Sequence, residues 1–409
     1  MKINRLYILR LSVLGVLCTV ILASLPANSV LAQEWKFEPV LRVGGEYDDN
    51  STLDPRTDQE VDLSGVLLNA RVDIKYASPA TSLLLQPSVV SRNYNDDSVF
   101  DSDDYFLRSN FRRQATKSTL GFRVNFDQQS VRTGERSDSD LDIEDPDEIP
   151  NDDTGRVLRF GDRTKWRVSP YWEYQLSKVS KIGANFDYFD VQYDDVFAGI
   201  LADYSDARLD LSYRRSFSNV TTWGIFLTGR RYDSDNSPEE IDGYGVSAGI
   251  DHSLSETTRV RAMIGFEDTD ESGTESDPDV TGSVTLTRNL ETIRLLAQYR
   301  RSVNGGGAGR VTVRDSFNLN FRRRLSERIS AGLGVRAYQT KETGGASSIE
   351  DRDYVQLHST LVWYLTRSFV IEADYRYTVQ DRGDAFGESA NSNQVNLWFV
   401  YQPKTIPKI

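Results

Sequence analysis

Residues 66–76 read VLLNARVDIKY, a stretch in which apolar and polar side chains alternate. The apolar set is Val66, Leu68, Ala70, Val72, Ile74 and Tyr76, and the polar set is Asn69, Arg71, Asp73 and Lys75. Successive side chains of a β-strand point to opposite faces, so these two sets lie on opposite faces of one strand. The pattern predicts a strand with one face against an apolar phase and the other in water.

The same pattern recurs from Trp35 to Tyr401 in about 18 stretches, each of about 9–13 residues, the length of a tilted membrane strand. The predicted strands are 35–47, 65–77, 82–93, 104–113, 118–130, 163–176, 180–190, 205–216, 221–232, 243–254, 258–267, 279–288, 292–302, 313–324, 328–339, 353–365, 368–378 and 393–402.

The connections between these stretches sort by length. Those after even-numbered strands are short, such as 77–80 and 366–367. Those after odd-numbered strands are longer and polar, such as 48–64, 131–162 and 379–392. Short periplasmic turns and long outer loops are typical of bacterial outer-membrane barrels. A soluble sandwich would not sort its loops in this way, and a solenoid would repeat a sequence motif. We therefore predict an all-β fold, an antiparallel up-and-down transmembrane barrel of about 18 strands with both termini in the periplasm.

The first 32 residues differ from the rest. Lys2, Arg5 and Arg10 precede an apolar run over 11–25, and small residues lead up to Ala32. These features predict a signal peptide over 1–32, cleaved after Ala32, and a barrel over 33–409; an N-terminal membrane anchor is the alternative. Cys18, the single cysteine, would leave with the signal. We therefore expect no disulfide and no thiolate site in the mature chain.

Overall composition does not distinguish a barrel from a soluble protein. The chain has 409 residues, 27% of them charged, and a net charge of −13. Its mean hydropathy is −0.49. A transmembrane barrel has a similar average, because alternate residues face lipid and water and their hydropathies cancel.

Charge is distributed unevenly within the predicted barrel. The alternation rule places about 23 basic and about 13 acidic side chains on the inner face. A barrel of this size is too wide to be filled by its own side chains, and rings of basic residues favour anions. Pairing with acids across strands is the alternative role for these residues. The predicted pore-lining residues are Arg42, Arg71, Arg108, Arg112, Arg123, Lys165, Arg167, Arg208, Arg214, Arg230, Arg259, Arg261, Arg294, Arg300, Arg314, Arg322 and Arg336.

The acidic surplus lies in the long connections, above all in loop 131–162. Such a charge run favours a solvated loop at the outer mouth. The same loop is long enough to fold inward as a constriction, and its carboxylates could hold Ca²⁺.

Motifs for enzyme chemistry are not supported by their context. The segment 245–249 (GVSAG) matches a nucleophile elbow, but that motif requires a strand–turn–helix setting and these residues lie within a predicted strand. The alternation places Ser247 and His358 on the inner face and His252 on the outer face. We expect no enzymatic activity, no cofactor and no metal site, and no nucleic-acid partner.

The opening of the mature chain combines an aromatic strand from Phe37, the segment GGEYDDNSTLDP over 44–55 and DLSG over 62–65. It resembles the β-barrel porin family found in exopolysaccharide and exosortase loci. This resemblance implies an outer-membrane channel, one form of which passes a secreted polysaccharide. The arginine-rich lumen is also similar to that of alginate-type export barrels. The chain departs from many outer-membrane barrels at its end, where Gln402–Ile409 follow the last aromatic residue.

These features favour a channel in the Gram-negative outer membrane, with export of a surface polysaccharide as its most specific form. A diffusion porin for small anionic solutes and a pore-closed surface adhesin or structural barrel are the alternatives. The expected partners are outer-membrane lipid and lipopolysaccharide, the barrel-insertion machinery and a periplasmic polysaccharide-export apparatus.

Overall fold

The computed structural model describes residues 34–56, 58–95, 98–136, 154, 156–196, 201–236, 240–270, 278–307, 309–342, 351–382 and 389–403. The predicted signal peptide lies outside them. Eighteen strands form one closed sheet. They are β1 (Glu34–Asp48), β2 (Leu63–Ala77), β3 (Thr81–Tyr94), β4 (Ser102–Gln114), β5 (Ser118–Ser130), β6 (Asp162–Gln175), β7 (Ser180–Asp194), β8 (Tyr204–Ser216), β9 (Thr221–Ser234), β10 (Ile241–Ser253), β11 (Thr258–Asp270), β12 (Asp279–Asn289), β13 (Ile293–Gly306), β14 (Arg310–Arg324), β15 (Ile329–Glu342), β16 (Arg352–Tyr364), β17 (Phe369–Arg382) and β18 (Ala390–Tyr401). A 3₁₀ turn (Ser98–Phe100) and one helical turn, α1 (Val131–Gly134), lie in the connections.

The sheet closes because β1 pairs with both β2 and β18. Tyr47 lies opposite Ser64 on one side and Val395 on the other. Every other strand pairs with its neighbours in sequence, and all these pairs are antiparallel. The predicted closed antiparallel barrel of about 18 strands is therefore confirmed. Among the described strands each has a partner on both sides, which satisfies most of the backbone hydrogen-bonding groups without an open edge.

The two faces of the sheet have opposite chemistry. On β1, Phe37 and Leu41 are exposed on the outer face, whereas Arg42 and Glu46 lie on the inner face. Residues that lie opposite each other on paired strands are on the same face of the sheet, as Phe37 and Ile74 are. The exposed large apolar side chains recur at outer-face positions from β1 to β18 and form a belt around the barrel.

The two ends of the barrel also differ. The short turns, including 78–80, 115–117 and 365–368, lie at one end, which we call the short-turn end. The connections 49–62, 95–101 and 131–161 lie at the other, the long-loop end. Strand β1 begins and β18 ends at the short-turn end. Neighbouring aromatic rings gather there on the outer face: Trp35 with Tyr76, Trp172 with Tyr174, Tyr213 with Trp223, and Phe369 with Tyr401.

A recurrent hydroxyl closes five of the eight short turns. In each case a Ser or Thr side chain near the start of the turn accepts a hydrogen bond from the backbone N–H three residues later, which is a local device for reversing the chain. The acceptors, with their donors, are Ser78 with Thr81 (3.0 Å), and Ser177 with Ser180, Ser218 with Thr221, Ser326 with Ile329 and Thr366 with Phe369 (each 3.1 Å). The preceding residue in most of these turns is apolar and exposed, as at Phe217 and Leu325. The sequence analysis missed this recurrent pattern.

One connection differs from the prediction. The alternation indicates a long outer loop between 302 and 313, but β13 continues to Gly306 and β14 begins at Arg310. The glycine-rich segment is therefore the tip of a hairpin, closed by a hydrogen bond from the Gly309 N–H to the Gly306 carbonyl (3.0 Å). Gly309 has a φ of +82°, a conformation that glycine adopts without strain.

Candidate functional site

The basic residues predicted to line the interior all occupy inner-face positions. Cross-strand registers bring several of them together, since Arg208 lies opposite Arg230 and Arg294 lies opposite Arg322. The inner face is the wall of a wide barrel, and these side chains give it a basic character. Their role in conduction stays a prediction.

Many of these wall residues pair with acids on the same strand or on a strand one or two positions away in the sheet. Arg167 makes a two-pronged contact with Asp187, in which Nε and Nη2 donate over 2.7–3.1 Å. The other pairs are Arg42 with Glu372, Arg71 with Asp73, Lys75 with Glu38, Arg208 with Asp210, Arg214 with Glu173, and both Arg259 and Arg261 with Asp251. Such pairs cancel most of the charge that each arginine presents to the lumen.

Arg108 and Arg112 on β4 behave differently. Both are exposed on the inner face, and neither makes an ion pair or hydrogen bond with the part of the chain that the structure describes. Their charge is therefore directed into the lumen without a neighbouring carboxylate. The next residue along the strand, Arg113, points to the outer face.

The long-loop end of the lumen is narrowed by the segment that follows β5. Residues 131–136 leave the wall and are buried, apart from Thr133, which is half-buried. Arg136 donates to the carboxylate of Asp48 on β1 and, through Nη2, to the Ser392 hydroxyl on β18 (2.8 Å). Ser392 in turn donates to Asp48 (2.7 Å). This three-residue contact attaches the segment to the closing seam of the barrel.

Two further contacts hold the same segment. Arg132 donates to the hydroxyl of Tyr94 (2.7 Å), and that hydroxyl donates to Glu46 (2.7 Å). Glu135, fully buried, accepts from the hydroxyl of Tyr193 on β7 (2.7 Å) and from the Thr154 backbone (2.8 Å). Segment 131–136 therefore has contacts with β1, β3, β7 and β18, on both sides of its own strand.

The tip of the β13–β14 hairpin also turns inward. The last pair between β12 and β13 is Gly282 with Arg301, and beyond it β13 leaves β12. Arg230 on β9 then donates to the carbonyl of Val303 (2.9 Å), and the Tyr232 hydroxyl donates to that of Gly306 (2.7 Å). As a result, Val303 is buried against the inner wall of β7–β10, although it occupies an outer-face position of its own strand.

The two inward segments meet in one apolar cluster. Val131 lies in the same buried cluster as Tyr193, Tyr232, Val303 and Val313. Packed side chains with buried ion pairs beside them therefore narrow the long-loop end of the lumen. For residues 131–136 and 154, the predicted solvated loop is wrong and the inward alternative is correct. The acidic run over 137–153 lies outside the described residues.

Sequence reasoning missed a buried cluster on β14–β16. The rings of Tyr338 and Tyr354 stack at 4.8 Å on the inner face. The guanidinium of Arg314 lies 4.4 Å from the Tyr338 ring centre, and that of Arg352 lies within 5.1 Å of both rings. Arginine over an aromatic face is a favourable arrangement. The sequence did contain an indication of this cluster, because Tyr338 and Tyr354 are aromatic residues at positions that the alternation assigns to the polar inner face.

The residues considered for enzyme chemistry do not come together. Ser247 is on the inner face of β10, whereas His252 points outward and its Nδ1 lies 2.8 Å from the Thr221 hydroxyl. His358 is on the inner wall of β16, 3.5 Å from Asp374. No group of three or more His, Cys, Asp or Glu side chains within the described ranges is arranged to hold a metal ion. No described helix has the length and hydropathy to cross a bilayer.

An even number of antiparallel strands, an apolar belt outside and a polar wall inside are together the architecture of an outer-membrane β-barrel. Among solved structures, the chain is similar to OccAB4 of Acinetobacter baumannii, with 11% identity, 90% of this chain and 98% of that chain covered, and a TM-score of 0.47. It is also similar to OpdO of Pseudomonas aeruginosa, with 12% identity, 90% of this chain and 98% of that chain covered, and a TM-score of 0.46. The outer membrane channel DcaP of A. baumannii has 12% identity, with 92% of this chain and 99% of that chain covered and a TM-score of 0.42. These likenesses concern the fold alone. No protein-family model and no curated protein matches the chain.

Proposed function

We propose that the chain is a channel of the Gram-negative outer membrane that passes anionic solutes. The observation that supports this most is the inner wall, which is polar and rich in arginine inside a barrel whose outer belt is apolar. A closed barrel of 18 strands has room for an aqueous path, and a basic wall favours anions. Short turns face the periplasm in bacterial outer-membrane barrels, so in this proposal the short-turn end and both termini lie on the periplasmic side.

Export of an anionic surface polysaccharide is the more specific form of this proposal. The unpaired arginines Arg108 and Arg112 support it, because they extend from the middle of β4 toward its short-turn end and so meet a cargo entering from the periplasm. A diffusion porin for small anions would use the same wall. Normal surface polysaccharide in a deletion strain would reject export and leave the porin. Neighbouring genes for glycosyltransferases would favour export.

A barrel with a closed pore and a structural or adhesive role is a second candidate function, favoured by the narrowed long-loop end. Segment 131–136 and the β13–β14 hairpin tip bury most of their residues inside the long-loop end. Planar-bilayer recordings of the purified barrel separate the two candidates. The channel proposal expects discrete conductance steps with anions preferred over cations, whereas a silent barrel across applied voltages supports the structural role.

Charge reversal at the unpaired arginines should change ion selectivity. Replacing Arg108 and Arg112 together by glutamate places two negative charges where two uncompensated positive charges stood. We expect the chloride-to-potassium permeability ratio to fall by a factor on the order of two or more. Reversal potentials under a salt gradient measure this ratio.

The matched control is Arg113→Glu, which makes the same chemical change one residue along on the outer face. It should leave selectivity unchanged. Arg167→Glu is a useful comparison for the double variant, because it reverses the charge of an arginine that is paired and so also leaves the Asp187 carboxylate without its cation. Equal selectivity in the double variant and the wild type would show that the β4 arginines do not border the ion path.

A further inference from the structure

The inner wall of β4–β6 combines the two unpaired arginines with an aromatic ring. Gly121 on β5 lies between Arg112 on β4 and Tyr171 on β6 in the cross-strand register. A Cβ built on Gly121 would lie 2.3 Å from the Tyr171 ring, so the ring covers the glycine and lies along the wall. Because Gly121 has no side chain, the Tyr171 ring fills the position where a Cβ would stand and extends over β5 toward Arg112 on β4.

Tyr171 offers a partly exposed ring to the lumen. The side chain is half-buried, and its hydroxyl has no hydrogen-bond partner within the described part of the chain. A ring that rests on the wall with one face leaves the other face for a ligand. An aromatic face of this kind packs against apolar C–H groups, and the phenol adds a polar contact.

The arginines are spread along the barrel axis. Arg108 and Arg112 are four residues apart on one strand, so their Cα atoms are separated by roughly 13 Å. Arg123 on β5 lies opposite Asn110 and thus between them in height. A single small anion meets one of these groups, whereas a chain with repeated carboxylates meets several in succession.

Exposure decides which ligand class this surface can hold. An ion pair with one solvent-exposed arginine is weak, since water screens it and the side chain loses freedom. Several such contacts made by one molecule add together, because each contact after the first is intramolecular. A sugar ring supplies the C–H face that a tyrosine ring accepts, and a uronic acid supplies a carboxylate on the same ring.

We propose that Arg108, Arg112 and Tyr171, beside the half-buried Arg123, form a binding site on the lumen wall for a short acidic oligosaccharide. This inference rests on the proposed channel function and names the cargo class of that channel. The site extends from the middle of the barrel toward the short-turn end, away from the narrowed long-loop end, so a ligand reaches it from the short-turn end.

Titration calorimetry on the full-length barrel in detergent tests the site, with trigalacturonate, monomeric galacturonate and maltotriose as probes. We expect trigalacturonate to bind at least tenfold more tightly than the monomer, and neutral maltotriose to show no heat of binding. Equal affinity for the trimer and the monomer would overturn the proposal, and so would binding of maltotriose as tight as that of trigalacturonate.

Four variants locate the site. Arg108→Gln with Arg112→Gln should weaken trigalacturonate binding tenfold or more, whereas Arg113→Gln on the outer face should leave it unchanged. Tyr171→Phe keeps the ring and should retain binding, and Tyr171→Leu should weaken it several-fold. Unchanged affinity in both the double variant and Tyr171→Leu, with folding verified by heat-modified gel migration, would refute the assignment.

Conductance of the same preparations separates this inference from the channel itself. Anion-selective conductance without trigalacturonate binding would overturn the site and leave the channel. Binding by a barrel that never conducts would overturn the channel and leave the site.

Discussion

Replacing Arg136 by alanine should open the mouth of the barrel. Arg136 and Asp48 form a buried ion pair, with side chains 4% and 0% exposed. Loss of the guanidinium leaves the Asp48 carboxylate buried without its cation, which destabilises the inward position of segment 131–136 by about 3–5 kcal/mol. Since about 1.4 kcal/mol is a tenfold change in an equilibrium, the displaced state gains roughly a hundredfold or more in population.

Single-channel recording measures this change. We expect Arg136→Ala to show larger or more frequent conductance steps than the wild type, because the segment that crosses the mouth is no longer attached to β1 and β18. Exchange of the two charges, Arg136→Asp with Asp48→Arg, should return the recordings toward those of the wild type. Identical recordings from wild type and Arg136→Ala would mean that this contact does not close the path.

Arg56→Ala is the matched control for this experiment. Arg56 also pairs with a carboxylate, Asp54, but this pair is local, since both residues belong to the connection after β1 and are two positions apart. The hydrogen bond from Arg56 lowers the pKa of Asp54. Their ion pair is screened by solvent, so its loss should have little effect on stability, and conductance should not change.

A side chain at position 44 should prevent correct closure of the barrel. Gly44 on β1 lies opposite Trp398 on β18, at the seam where the first and last strands pair. A Cβ at this position would lie 2.5 Å from the Leu397 carbonyl oxygen and 2.7 Å from the Trp398 ring. The carbonyl belongs to the backbone and cannot rotate away. The indole also packs on an inner apolar cluster with Val400.

We therefore expect Gly44→Val to lower the stability of the folded barrel by about 1–3 kcal/mol or more, and its yield on refolding several-fold. Heat-modified migration on gels and urea titration in lipid vesicles measure these effects. Gly44→Ala should act in the same direction, since the conflict begins at the Cβ.

Gly229→Val is the corresponding control. Gly229 is also a strand glycine, on the outer face of β9, but a Cβ there meets no atom within 4 Å. Valine suits an extended backbone, so this variant should fold as well as the wild type. Similar losses in both valine variants would assign the effect to the backbone freedom of glycine rather than to the space beside Trp398.

Much of the architecture was predictable from short stretches. The alternation over 66–76 correctly assigned the outer face of β2, and the same rule placed residues such as Arg167 and Arg261 on the inner face. These assignments depend on a side-chain period of two and on local hydropathy, which neighbouring residues express without reference to the rest of the chain. Strand ends were less accurate at the long-loop end, where β7 runs to Asp194 rather than to 190.

The inward hairpin was not predictable in this way. By alternation Val303 and Val313 face outward, and in the structure they are buried within the mouth. Their surroundings are set by Tyr193 and Tyr232, which come from strands far away in sequence. The glycines at the tip gave a partial signal, because the Gly305 and Gly307 positions lie against those two rings and leave no space for a Cβ.

The sequence alone predicted a barrel of about 18 strands, the face of most strand side chains and the end at which the chain turns tightly, because each depends on residues a few positions apart. Only the tertiary structure decided which charges cancel and which remain, and whether the mouth is open. Arg167 is neutralised by an aspartate twenty residues away, and Arg136 is attached to Ser392 across 256 residues. Such contacts exist because the sheet closes and places β1 beside β18, a proximity that no local pattern encodes.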